Sequence, residues 1–420
     1  MLAAYAFRAF IKFGHLTIID ARGVRHEFRG IPGPRAVIRL TDPSLHHRLF
    51  LSPQIAIGEG YMDGGLMMEE GTTLYEFLDL CMANVARAET ESMQWFLRYF
   101  RALRAAWRHW NPVGVARRKV SHHYDLNDTL FDLFLDRDRQ YSCAYFVDPN
   151  DDLDTAQLNK KRHLAAKLLI EPGHKVLDIG SGWGGLGLFL AGMHDDVTVD
   201  GVTLSHEQHR VSNERAAKAG LADRVRFQLR DYRELETDTY DRIVSVGMLE
   251  HVGPRHYEAY YRQVKRLLAP DGVAVIHSVG VFCEPYPLNP WMEKYIFPGA
   301  YTPALSQQMT VIERTGLYTT DIEVLRVHYA ETLKAWRLAC ERHRDRIVEL
   351  YDERFYRMWT FYLIGCEIAF RRGNLMVFQI QLAQNLDTVP QTRDYIGEFE
   401  AAQRAASKPK ERPRLRQVGD

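Results

Sequence analysis

A carboxylate and an imidazole stand where two apolar runs end. Glu250, followed by His251, closes Ile243-Val244-Ser245-Val246-Gly247-Met248-Leu249, and His277 follows Val275-Ile276 and leads into Ser278-Val279-Gly280. These are the side-chain types most used to move protons. Cys143, within Tyr141-Ser142-Cys143-Ala144-Tyr145-Phe146, and Tyr329, within Val327-His328-Tyr329-Ala330, are further reactive types set among apolar neighbours. Taken singly, each has a plain packing role: a small buried thiol, a satisfied interior histidine, a helix-start acid, a core aromatic. What sets them apart is a shared crevice. In an open parallel sheet ligands bind beyond the carboxyl ends of the strands, so Glu250 and His277 would face the same space.

A glycine-rich turn opens onto that space. Val176-Leu177-Asp178-Ile179 reads as a strand running into Gly180-Ser181-Gly182-Trp183-Gly184-Gly185 and then a helix. Such a turn lets the backbone approach a ligand closely. Gly180, Gly182 and Gly185 also fit the dinucleotide spacing, so spacing alone does not choose the cofactor. Asp178 sits just before the glycines, where dinucleotide sites carry a small apolar residue. The second strand ends in Val202-Thr203-Leu204-Ser205, with no acid to grip a ribose diol. Both features favour S-adenosylmethionine, and Asp231-Tyr232 after the third strand takes the place of an adenine contact.

The elements that must hold these groups follow in order. From about residue 171, apolar runs at Lys175–Ile179, Val197–Leu204, Val225–Leu229 and Ile243–Val246 alternate with helical stretches, the pattern of a parallel α/β sheet. Ala269-Pro270-Asp271-Gly272 reads as a turn feeding a strand Val273–His277, and later segments mix helical aromatics from Tyr351 to Phe370 with an apolar run at Leu375–Ile380. The leading hundred residues read as a small mixed domain with turns at Phe28–Pro34 and Gly58–Gly65. A helix is expected over residues 91–110, with Arg98, Arg101, Arg104 and Arg108 opposite an aromatic face; Arg117, Arg118 and Lys119 extend the positive run. Such a segment suits either an anionic lipid surface or a solvated face. Residues 401–420 are polar and basic and are expected to be disordered.

Composition narrows the field. The 420 residues carry 54 basic and 54 acidic side chains, so no bulk charge favours nucleic acid. Five scattered cysteines without a CxxC pair argue against a disulfide framework or a structural zinc site, and no metal is expected. No stretch has the length of an uninterrupted membrane span, and the apolar start is broken by Arg8 and Lys12, which together with the cysteine usage points to the cytoplasm.

With these phrases in place, the chain resembles the cyclopropane-fatty-acyl-phospholipid synthase family, which includes the mycolic acid cyclopropane synthases. The likeness is carried by His123–Phe146, Val176–Gly185, Gly201–Gln208, Tyr240–Gly253, Ile276–Gly280, Pro290-Trp291 with Lys294–Pro298, and the stretch around Tyr329. It implies a Rossmann-like class I methyltransferase domain over residues 116–400 with helical insertions for a lipid pocket, after a smaller mixed α/β domain over 1–115 that docks on membrane. It implies methylene transfer from S-adenosylmethionine to a cis double bond of a phospholipid acyl chain, through a carbocation that loses a proton to a bound bicarbonate ion. The positions matching the ion's site are Cys143, Glu250, His277, Tyr329 and the main chain of Val279, with Glu250 and His277 orienting the ion and accepting its proton. Cofactor contacts fall on Tyr141, Ser142, Asp178, Gly180, Gly182, Gly184, Thr203, Leu204, Gln208, Asp231 and Tyr232. A homodimer on the inner face of the cell membrane is implied as well. A methyl branch on the acyl chain in place of the ring, or methylation of a small molecule on the same scaffold, is the competing reading. Ser181, Leu249 and Val279 depart from the commoner spelling of the family, and none removes a polar group.

Overall fold

The computed structural model describes residues 2–88, 128–236 and 239–406. The basic segment expected as a helix over 91–110, and Arg117, Arg118 and Lys119 with it, lie outside the described residues.

The leading residues build a four-stranded sheet, β1 (Phe13–Ile19), β2 (Arg25–Arg29), β3 (Ile31–Leu40) and β4 (Leu66–Met68), in the order β2-β1-β3-β4, with helices packed on its apolar face. Both expected turns contract. Pro32 and Pro34 lie inside β3, and Gly58 and Gly60 lie inside the helix Pro53–Met62. The reason at Gly58 is proximity: a Cβ there would sit 2.4 Å from Nε1 of Trp291.

The second sheet holds seven strands in the order β10-β11-β9-β8-β5-β6-β7. β5 (Lys175–Ile179), β6 (Thr198–Thr203), β7 (Val225–Leu229), β8 (Tyr240–Val246) and β9 (Leu268–Val281) are parallel to one another. β11 (Leu375–Ala383) enters antiparallel between β9 and β10 (Tyr318–Val324). Strand order reverses at β5, so a crevice opens beyond the carboxyl ends of β5 and β8. The sheet is thus class I methyltransferase in topology, as the Asp178 strand and its successors implied.

Two boundaries move. Ala269–Gly272, expected as a turn before the strand, is absorbed into β9 as a register shift between Tyr240 and Arg242 of the neighbouring β8. The basic tail begins later than residue 401, because the helix Asp394–Ala406 continues through it, burying Ile396 and Glu400 on the helix Leu153–Leu168; residues 407–420 lie outside the described residues.

The helix Glu353–Arg372 belongs to two cores at once. Trp359, Tyr362 and Leu363 pack in the aromatic cluster beside the large sheet, while Ile364 and Ile368 enter the core of the leading domain. Trp291 is the wedge between the two. It is 1 % exposed, its Nε1 lies 3.3 Å from Sδ of Met62, and its ring meets Phe361 edge-on at 4.6 Å. Around it, Glu59 accepts from Lys294 at 2.6 Å and from Tyr295 at 2.8 Å, and Arg354 meets Asp63 at 2.8 Å. Trp291→Ala is therefore expected to cost about 3–5 kcal/mol, read as a lowered midpoint in urea unfolding.

Candidate active site

The cleft at the strand ends is walled by the glycine turn, by Tyr141 and Ser142, and by the ends of β6, β7 and β8. Of the residues expected to hold the cofactor, Tyr141, Ser142, Asp178, Gly180, Gly182, Thr203, Leu204, Gln208, Asp231 and Tyr232 line it. Gly184 does not. It caps the helix Gly185–Ala191 with φ +81°, and a Cβ there would meet Phe227 at 2.6 Å and Ser212 at 2.9 Å, so it serves packing of that helix rather than the ligand.

The polar groups of the cleft are individually anchored. Thr203 Oγ1 donates to Gln208 Oε1 at 2.8 Å, and the carboxylate of Asp231 accepts from the main chain of Arg233 at 3.0 Å and from its guanidinium at 2.7 Å. Asp178 differs: it is fully buried, Oδ2 has no partner among the described residues, and burial pushes its carboxyl up to about 7. Ser181 Oγ and Trp183 Nε1 are likewise buried without partners. Orphaned acceptors and donors beside a glycine turn fit a ligand with both an ammonium and a carboxylate, as S-adenosylmethionine has.

One member was hidden in the sequence. Lys160, 1 % exposed, donates to Gln140 Oε1 at 2.5 Å and to Ser142 Oγ at 2.9 Å, which fixes the wall carrying Tyr141 and Ser142. Burial brings its amine down to about 8 despite the Asp136 carboxylate. It falls in Asn159-Lys160-Lys161-Arg162-His163, a run that reads as a solvated face, yet all five are buried.

Cys143, Glu250, His277, Val279 and Tyr329 do not line the cleft. Cys143 and Glu250 are next in sequence to Ser142 and His251, which do; all five are buried or half-buried, and Cys143, Val279 and Tyr329 belong to or pack on the aromatic cluster. Glu250 Oε1 accepts the Val279 N–H at 2.6 Å, so the main chain of Val279 is already engaged by the acid itself. Oε2 is buried with no hydrogen-bond partner among the described residues, and burial lifts the carboxyl to about 7. Cys143 and Tyr329 are held un-ionised by burial, and the charge of Glu250 reaches Tyr329. Tyr329 meets Trp336 at 6.0 Å and Phe370 at 4.8 Å, while Trp336 stacks on Tyr141 at 5.0 Å. Trp183 lies against Phe131 at 4.8 Å, so aromatic faces run unbroken from the cleft wall to Tyr329.

Residues 114–380 match the family model described as mycolic acid cyclopropane synthetase. The chain belongs to that family. It is 37% identical over 356 residues to the cyclopropane-fatty-acyl-phospholipid synthase of Escherichia coli K12, a match covering 84% of this chain and 89% of that protein. The tuberculostearic acid methyltransferase UfaA1 of Mycobacterium tuberculosis is 36% identical over 340 residues, 77% of this chain and 78% of that one. Among solved structures, the mycolic acid cyclopropane synthase CmaA1 complexed with SAH and CTAB superposes with a TM-score of 0.61 at 31% identity, covering 65% of this chain and 99% of that chain. Coclaurine N-methyltransferase, at 19% identity and a TM-score of 0.64, shares the fold. This cyclopropane synthetase family member is thus an S-adenosylmethionine-dependent methyltransferase by fold and by kinship.

Proposed function

We propose that the enzyme adds a methylene bridge across the cis double bond of an unsaturated acyl chain in membrane phospholipid. The observation that carries this reading is a buried carboxylate with an orphaned oxygen, Glu250, set behind the cofactor cleft and bonded to Val279, which packs on an aromatic cluster. Support also comes from kinship to the Escherichia coli phospholipid enzyme, whose match over 84% of this chain must extend into the leading domain.

S-adenosylmethionine, when bound, supplies the methyl group. An alkene is a weak nucleophile, so the walls must hold it in line, a task that falls to the Tyr141–Ser142 segment pinned by Lys160. The aromatic faces of Tyr141, Trp336 and Tyr329 exclude water and stabilise developing positive charge. Glu250 takes the proton, directly or through a bicarbonate ion held with Cys143, His277, Tyr329 and the Val279 main chain. For that ion to use the Val279 N–H, the carboxylate that now occupies it must turn.

No helix among the described residues is long and apolar enough to cross a membrane. Access to lipid is then from a surface, and Phe50 and Leu51, 47% and 77% exposed at the end of the helix Leu45–Leu51, suit insertion at the headgroup level. A peripheral enzyme on the inner face of the cell membrane, working as a homodimer, completes the proposal. Expression in a host lacking such an enzyme should convert unsaturated phospholipid chains to species one CH₂ heavier, with upfield ring signals in proton NMR. Unchanged chains would end the proposal. The mass gain without ring signals would favour a methylene branch, the reading encouraged by kinship to the tuberculostearic acid methyltransferase.

A further inference from the structure

We infer that Gln379 is a positioning residue that locks His277 in the tautomer with its proton on Nε2, so that this histidine serves the site as a donor and leaves proton acceptance to Glu250. The two side chains are direct partners across the antiparallel β9–β11 ladder. Both are buried, His277 at 2% and Gln379 at 0% exposure. Gln379 Nε2 lies 3.2 Å from His277 Nδ1.

An amide nitrogen can only donate, so Nδ1 must present its lone pair, and the ring proton sits on Nε2. The amide orientation is decided by the cost of the alternative. As it stands, the Oε1 acceptor of Gln379 is without a partner among the described residues, while one of its two N–H bonds is engaged by His277. Reversing the amide would place both of its N–H bonds at that orphaned position, and buried donors left unpaired are the rarer defect.

The surroundings keep the ring from taking a second proton. Burial, then the charges of Lys160, Lys167 and His163, brings His277 down to about 3. Glu250 approaches from β8's end and is drawn up by burial, with its Oε1 on Val279, two residues along the strand from His277. A fixed donor on His277 and a carboxylate bonded to Val279 are therefore both tied to β9, two residues apart. The part given to the Nε2–H in turnover rests on the proposed chemistry; the tautomer does not.

The test is long-range ¹H–¹⁵N correlation NMR on full-length protein labelled with ¹⁵N-histidine, with His277→Gln identifying the signals. The wild-type enzyme should show a pyrrole-type Nε2 and a pyridine-type Nδ1 that do not titrate across the neutral range. Gln379→Glu, whose carboxylate accepts instead of donating, should move the proton to Nδ1. Gln379→Met should release the ring to both tautomers and lower kcat on the order of tenfold, with affinity for S-adenosylmethionine unchanged. A wild-type proton on Nδ1, or one tautomer common to all three proteins, overturns the lock. Should the variants fail to fold, the wild-type spectrum decides alone. If the expected tautomer is found but His277→Ala turns over normally, the lock stands and the proposed use of His277 fails.

Discussion

Glu250→Gln should lower kcat by about two to four orders of magnitude while leaving the affinity for S-adenosylmethionine within a few-fold. The amide keeps the size of the side chain and can still accept the Val279 N–H through its oxygen. It cannot take a proton. In the wild-type enzyme the acceptor must be ionised, and burial holds Glu250 up to about 7. Turnover should therefore fall about tenfold per pH unit below that value and level off above it, a limb that Glu250→Gln abolishes. Stability moves the other way. A carboxyl whose folded pKa is raised stabilises the fold fully below about 4.5, its ordinary value, and that contribution is lost as pH rises through about 7. Above neutrality Glu250→Gln should thus unfold no earlier than the wild type, which separates lost chemistry from lost structure. Undiminished turnover in a well-folded Glu250→Gln protein would remove Glu250 from the proposed mechanism.

Gly182→Val should weaken S-adenosylmethionine binding at least about a hundredfold, equivalent to roughly 2.7 kcal/mol. Gly182 has φ +55°, a conformation that costs a branched residue roughly 1–2 kcal/mol, and a Cβ there meets nothing within 4 Å. That emptiness is the cleft, whose wall Gly182 forms. The added isopropyl group would take the ligand's place without meeting protein. Titration calorimetry should show the loss, while the melting temperature without cofactor falls by only a few degrees. Gly184→Ala makes the contrasting control: its Cβ would press on Phe227 and Ser212, so it should destabilise the fold rather than close the cleft.

The contrast between these two glycines marks where reading a sequence stops. Both lie in one motif with left-handed backbone, and nothing in their order says that one faces a ligand and the other a neighbouring helix. The same holds for Lys160. Its polar run reads as a solvent face because water is the default partner of charge, and only the fold covers that face with the Gln140–Ser142 segment and the helix Asp394–Ala406. Gln379 is less visible still. It is one of two glutamines in the otherwise apolar strand Leu375–Ala383, and its value arises from lying opposite a histidine 102 positions away.

What sequence by itself determined is whatever is written locally: the strand, glycine turn and helix from Val176, the succession of parallel strands, and the residues at their ends, because periodicity and backbone permissiveness act over a few neighbours. Tertiary structure alone decided that β11 would run antiparallel beside β9, that Glu250 would close onto the Val279 N–H with one oxygen left over, and that His277 would meet Gln379. Those outcomes depend on burial and on partners distant along the chain. The desolvation that brings Glu250 to about 7 and His277 to about 3 exists only once the core has closed around them.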